Sequence, residues 1–178
     1  MKVLIMTGSA HKKGTTAILT ENFIKGAIEA GHDVYRFDCA FKTIHACIAC
    51  ERCHTDHSGC VFKDDMEELN EHLLDADVIV FVSPIYYYAM NAQIKVAIDR
   101  FYANDEQLHG HKKAILMVTM ADDIVETADG AIAAFKGTLR YLQWENAGMV
   151  VGISCGNVDA LNKTDYPKQA YELGRNLK

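Results

Sequence analysis

The stretch DVIVFVSPIYYYAM, residues 77–90, carries the reading of the whole chain. Val78–Val82 is an unbroken apolar run rich in β-branched residues, too short for a helix and without polar alternation. Such a run is a strand buried on both faces, and strands of that kind belong to parallel sheets covered by helices on both sides. Pro84 has no N–H to give to a ladder, so the strand is expected to end there.

Working outward, Lys2–Met6 and Ala114–Val118 repeat the pattern, and Asp33–Phe37 and Gly148–Ile153 read as two further strands. Helical periodicity fills the intervals. One helix is expected from about Thr15 to Ala30, stopped by Gly31 as a C-cap. Asp64 and Glu67 open a second, with Met66, Leu69, Leu73 and Leu74 as its apolar face. Others follow over about Asn91–Phe101, Ile124–Leu142 and Tyr166–Asn176. Strands alternating with helices imply an α/β sheet with parallel strands. There is no internal repeat or linker, so residues 1–178 are expected to form one domain, with a cysteine-rich insertion at about 39–63. In such sheets ligands sit beyond the carboxyl ends of the strands. That directs attention to Thr7–Gly14, Ser83–Met90, Thr119–Asp123 and Ser154–Asn157.

The first of these loops, TGSAHKKGTT (residues 7–16), leads into a helix N-terminus with hydroxyls at Ser9, Thr15 and Thr16. Free backbone N–H groups and the positive end of a helix dipole suit a phosphate. The loop lacks G-x4-G-K-[ST] and G-x-G-x-x-G, which disfavours a P-loop or a dinucleotide site. A plain connecting loop with hydroxyl caps is the alternative. In the second loop, Tyr86, Tyr87 and Tyr88 follow a strand and a proline, and aromatic rings there can flank a planar heterocycle. Packing in the core or at a subunit contact is the other reading, and the preferred one for Tyr88.

Four cysteines crowd residues 47–60: Cys47, Cys50, Cys53 and Cys60, spaced C-x2-C-x2-C-x6-C. Four thiolates so placed suit a cubane iron–sulfur cluster. Zinc more often takes two separated C-x2-C pairs or Cys/His pairs. Cys39 and Cys155 lie outside the spacing and read as buried thiols. His54 and His57, inside the same loop, read as solvent-exposed. Asp64–Asp65 and Asp122–Asp123 read as helix caps, and Lys95 and Asp99 as an ion pair across one turn. No H-E-x-x-H or C-x5-R is present.

Hydrophobic residues make up 49% of the chain, which is enough for a globular core, and the formal net charge is −6. The acidic balance argues against nucleic-acid or anionic-membrane partners. No apolar run approaches the ~18 residues of a spanning helix. A cytoplasmic protein is therefore expected, and in that reducing compartment cysteines serve as metal ligands or free thiols rather than disulfides.

GSAHKKGTT, CIACERC with Cys60 and then DDM, DVIVFVSPIYYYAM and IKVAIDRF occur in that order over residues 1–102. Together they resemble the flavodoxin-like FMN reductases, specifically the iron–sulfur flavoproteins. The resemblance fades in the C-terminal third. It implies a flavodoxin-like doubly wound five-stranded parallel sheet of order 2-1-3-4-5. It implies that Ser9, Thr15 and Thr16 hold the FMN phosphate, with His11 and Lys13 nearby, and that Pro84, Ile85, Tyr86 and Tyr87 border the isoalloxazine ring. It also implies a [4Fe-4S] cluster on Cys47, Cys50, Cys53 and Cys60, and a homodimer or homotetramer. The family loop usually has an arginine near position 11 or 12 and an asparagine before the threonine, where this chain has His11, Lys12 and Thr15.

The expected function is electron transfer from a reduced donor, NAD(P)H or ferredoxin, through FMN to the cluster or an acceptor. No side chain is expected to act as nucleophile or general base. Three alternatives stand beside it: a cluster-free NAD(P)H-dependent FMN or quinone reductase, a flavodoxin-like electron carrier, and a zinc-binding regulatory protein.

Overall fold

The computed structural model describes residues 1–178. Six strands are present: β1 (Lys2–Thr7), β2 (Asp33–Asp38), β3 (Val78–Tyr86), β4 (Ala89–Met90), β5 (Lys113–Thr119) and β6 (Glu145–Gly152). The parallel sheet runs β2-β1-β3-β5-β6, and β4 is a short antiparallel addition to the end of β3. The five long strands thus have the expected order. Eight helices connect them: α1 (Thr15–Glu29), α2 (Arg52–Thr55), α3 (Met66–Asp75), α4 (Ala92–Asp99), α5 (Asp105–Leu108), α6 (Asp129–Leu142), α7 (Val158–Leu161) and α8 (Tyr166–Arg175). None is long and apolar enough to cross a membrane.

The all-apolar strands divide their side chains between two cores by simple alternation. Leu4, Met6, Ile79, Phe81 and Leu116 face one side, where Leu69 and Leu73 of α3, Ile94 of α4 and Phe135 of α6 meet them. Val3, Ile5, Val78, Val80 and Met117 face the other, against Leu19 and Phe23 of α1 and Ala170 of α8. α1 and α8 approach closely. A Cβ on Gly26 would lie 2.1 Å from the Tyr171 carbonyl oxygen, and one on Gly174 would lie 2.3 Å from that of Phe23.

Three expectations change. β3 does not stop at Pro84; the strand runs on to Tyr86 and folds back into β4. Pro84 lies beyond the last β1–β3 pair, Thr7 with Val82, so its missing N–H falls on the side where the β1 ladder has already ended. β6 begins at Glu145 rather than Gly148, because its polar opening residues lie on an edge strand, with a register irregularity at Ala114/Ile115. The helix expected from Ile124 opens as a 3-10 turn, Val125–Ala128, before α6.

Candidate functional site

The loops beyond the carboxyl ends of β1, β3, β5 and β6 enclose one cleft of about 530 Å³. That lies within the roughly 300–1,000 Å³ of small-molecule sites. Ser9, His11, Gly14, Thr15 and Thr16 line it from the β1 loop and the start of α1, and Pro84, Ile85 and Tyr86 line it from the end of β3. Thr119, Met120 and Ala121 come from the end of β5, and Cys155, Gly156 and Asn157 from the loop after β6. The structure therefore brings Ser9, His11, Thr15, Thr16, Pro84, Ile85 and Tyr86 together. Lys13 and Tyr87 are not among the lining residues.

The first loop is arranged around an open helix end. The Ser9 hydroxyl accepts from the His11 N–H at 3.1 Å, and the Gly14 N–H donates to the His11 carbonyl at 3.0 Å. Gly14 is the N-cap of α1; it supplies no side-chain cap, and no acidic residue occupies the first turn. The orphan N–H groups of that turn are left for an external acceptor, and the helix dipole favours an anion there. The hydroxyls of Thr15 and Thr119 meet at 2.8 Å, joining α1 to the end of β5.

Asn91 joins the first loop to the second. Its side-chain amide donates to the Gly8 carbonyl at 2.5 Å, and its own N–H donates to the Ser83 hydroxyl at 2.9 Å. Asn91 and Ser83 are buried. A Cβ on Gly8 would lie 2.0 Å from the Asn91 carboxamide oxygen, so only glycine fits under this clamp. Sequence reasoning placed Asn91 only at the start of a helix.

The β3–β4 hairpin turns at Tyr87 and Tyr88, both in the left-handed region with φ of 48° and 66°. Two consecutive positive φ values make this a type I′ geometry, which Asn-Gly adopts without strain and tyrosine does not. Tyr87 stands at the tip, 98% exposed. Tyr88 is also exposed and not part of the core.

Asp122 caps the loop after β5, accepting from the Ile124 N–H at 3.2 Å and the Thr127 hydroxyl at 2.6 Å. The Thr127 hydroxyl bond is the main cause that holds its carboxyl below the usual range. Cys155 is buried in the cleft wall, and burial pushes its thiol pKa up. Cys39 is buried elsewhere, with its pKa pushed up to about 12 by burial.

Cys47, Cys50, Cys53 and Cys60 line a second, small cavity of about 20 Å³, shared with Phe62, Arg100 and Tyr102. All four are free thiols. The loop wraps the cavity with Ala49 and Glu51 in the left-handed region. No three His, Cys, Asp or Glu side chains are gathered around a metal-sized point. Four thiols along one apolar wall are nevertheless the donor set that an iron–sulfur cluster takes. Burial, the largest cause, raises the Cys53 pKa, so ligation there would release a proton. His54 is committed elsewhere, its Nε2 lying 2.7 Å from the Tyr102 carbonyl.

The base of the cysteine loop is sewn shut by two aspartates. Asp65 accepts from the Thr43 N–H at 2.6 Å; Asp64 accepts from the His45 N–H at 2.9 Å and caps α3 through the Met66 N–H at 3.1 Å. Asp64 also pairs with Arg100 at 2.9 Å, with the two side chains 1% and 2% exposed. Lys95 and Asp99 form the expected one-turn ion pair at 2.5 Å.

The description "NADPH-dependent FMN reductase" matches residues 1–143 at family level. An iron–sulfur flavoprotein of Methanocaldococcus jannaschii is 35% identical over 102 residues, 56% of this chain and 50% of that protein. The aligned region thus spans about half the length of that relative. A Bacillus subtilis protein named for an NAD(P)H-dependent FMN-containing oxidoreductase is 26% identical over 160 residues, 85% of this chain and 84% of its own. Among solved structures, an FMN-dependent NADH-azoreductase of Bacillus anthracis, in complex with FMN, superposes with a TM-score of 0.77 at 11% identity, covering 99% of this chain and 98% of that one. The last establishes likeness of fold.

Proposed function

The chain belongs to the NADPH-dependent FMN reductase family, and from that premise we propose that it is an FMN-dependent oxidoreductase passing electrons from NAD(P)H or ferredoxin through FMN to a [4Fe-4S] cluster. The observation that carries the flavin assignment is the uncapped N-terminus of α1 opening into a cleft walled by the loops of four strands. The FMN phosphate sits on the free N–H groups of the first turn of α1, assisted by the hydroxyls of Ser9, Thr15 and Thr16 and by His11, with Lys13 at the loop's outer side. Pro84, Ile85 and Tyr86 border the ring system, and Tyr87 closes over it from the hairpin tip.

When bound, FMN supplies hydride acceptance and one-electron release, and a cluster supplies one-electron exchange. The chain's own part is to hold the flavin, keep water from it and set the path to the cysteine loop. Cys47, Cys50, Cys53 and Cys60 are the cluster ligands in this reading; the shared cavity and the iron–sulfur flavoprotein relative support it. Exposed Tyr87, Tyr88, Ile124 and Val125 give a second copy of the chain an apolar surface to cover, in keeping with a homodimer or homotetramer.

A second reading, a cluster-free NAD(P)H-dependent FMN or quinone reductase, is favoured by one observation: the four thiols are not drawn around a common point. Anaerobic purification, with FMN, iron and acid-labile sulfide quantified per chain, separates the two. One FMN with about four irons and four sulfides is the expected result. FMN without iron or sulfide leaves the simple reductase, and absence of FMN after flavin supplementation overturns both.

A further inference from the structure

Arg100 is the only lysine or arginine lining the cavity shared by Cys47, Cys50, Cys53 and Cys60. Its guanidinium is buried and both outer nitrogens are hydrogen-bonded. Nη1 donates to Asp64 at 2.9 Å and to the His45 carbonyl at 2.8 Å, and Nη2 donates to Asp64 at 3.3 Å. The Phe62 ring, 5.3 Å from the guanidinium carbon, further holds the group in place. These contacts fix the fork so that it cannot swing to find another acceptor. Nε is the one nitrogen of the guanidinium that is buried with no partner. A buried N–H without an acceptor is rare and costly, and it calls for an explanation.

We propose that the Arg100 Nε–H donates a hydrogen bond to a sulfur of the cluster bound by the four cysteines, making Arg100 the residue that positions that centre and raises its reduction potential. The inference rests on the cluster reading above. A four-thiolate cluster is anionic and becomes more so on reduction. A fixed cation and hydrogen-bond donor against its sulfurs therefore stabilises the reduced form more than the oxidised one. The geometry also divides the labour of the side chain. Asp64 and His45 hold the outer nitrogens and neutralise part of the buried charge, and the inner nitrogen is left for the sulfur. The same fork ties the cluster loop to the end of α4, so cluster and helix are fixed by one residue.

The test uses the full chain, reconstituted anaerobically with FMN, iron and sulfide. Arg100→Lys keeps a cation for Asp64 and removes the Nε–H. Asp64→Asn/Arg100→Gln removes the whole ion pair without stranding a carboxylate, and covers the case in which the first variant folds poorly. Cluster midpoint potentials are read by redox titration followed by electron paramagnetic resonance on the loaded fraction, alongside iron and sulfide content. The expected result is a midpoint moved to more negative values in both variants, with the FMN midpoint unmoved. Unchanged cluster midpoints, even with lowered thermal stability or lowered iron content, overturn the proposal and leave the cluster reading standing. A wild-type chain that binds FMN but takes up no iron or sulfide overturns both.

Discussion

The side-chain amide of Asn91 donates to the carbonyl of Gly8 at 2.5 Å, across 83 residues of sequence. This bond and the Ser83–Asn91 bonds fasten the loop after β1 to the loop after β3, the two segments that bring a phosphate site and a ring site into one cleft. Asn91→Ala is expected to lower unfolding free energy by about 1–3 kcal/mol, because buried partners are left unpaired, and to weaken FMN binding. Chemical denaturation and quenching of flavin fluorescence measure the two. Unchanged FMN affinity would show that the clamp serves stability alone.

Gly8→Ala forces a methyl against the Asn91 carboxamide, whose oxygen is 2.0 Å from the new Cβ position. The double variant Gly8→Ala/Asn91→Ala gives the methyl room. It should therefore be less destabilised than the sum of the two single changes, with a coupling of about 0.5–3 kcal/mol. Strict additivity in a double-mutant cycle would mean the two residues do not act as a pair.

Thr15→Glu places a carboxylate at the first position of α1, beside the proposed phosphate. Repulsion of ~1 kcal/mol or more predicts at least a several-fold loss of FMN affinity, with the folded state retained by circular dichroism. A variant that stays yellow through gel filtration would move the phosphate elsewhere.

Acid stability has a predictable window around Asp64. Burial alone would raise its carboxyl, but the Arg100 guanidinium and the N–H groups of His45 and Met66 hold it at about 2, below the ordinary 3.8. A carboxyl depressed in the folded state contributes stability that is fully present above the unfolded value and is lost as pH falls from about 4 to about 2. The amount is on the order of 2 kcal/mol. The Asp64→Asn/Arg100→Gln variant should lose that segment of the pH dependence when urea midpoints are compared between pH 5 and pH 2. A parallel decline in both proteins would assign acid lability to other carboxylates.

Replacing Tyr87–Tyr88 by Asn-Gly relieves two positive-φ tyrosines at the hairpin tip. The fold should gain about 1 kcal/mol, read as a raised melting temperature. If the strained tyrosines cover the flavin, turnover with NAD(P)H falls as stability rises. Full activity in the stabilised variant would show that the tyrosines are not needed at the flavin.

The sheet was readable because Val78–Val82, Lys2–Met6 and Ala114–Val118 are apolar on both faces, and only a helix-covered parallel strand tolerates that. The loops at its carboxyl edge followed from the same inference. Residues whose roles depend on distant partners were not readable. Asn91 reads locally as a helix start, and its Gly8 acceptor is visible only once β1 and β3 are adjacent. Arg100 reads locally as one more charge near the end of a helix. Its partner Asp64 lies 36 residues earlier, at the far side of the cysteine loop. The loops that carry Thr119 and Cys155 were expected at the cleft, but the bond between the Thr15 and Thr119 hydroxyls joins residues 104 positions apart and shows in neither loop alone. The β3–β4 hairpin escaped notice because its turn lacks the Asn-Gly signature that normally marks one.

The glycine-to-backbone contact between α1 and α8 has a consequence for biosynthesis. The Glu29 carboxylate accepts from the Tyr171 hydroxyl, and the Glu29 carbonyl from Arg175, over separations of 142 and 146 residues. When α1 leaves the ribosome, the surface that will cover Gly26 has not yet been translated. The helix whose N-terminus faces the cleft must wait, half-packed, for residues 166–175. Long-range closure of this kind is slow, so a nascent chain stalled before Tyr166 would remain open to proteases and chaperones, with its first helix made and not yet seated.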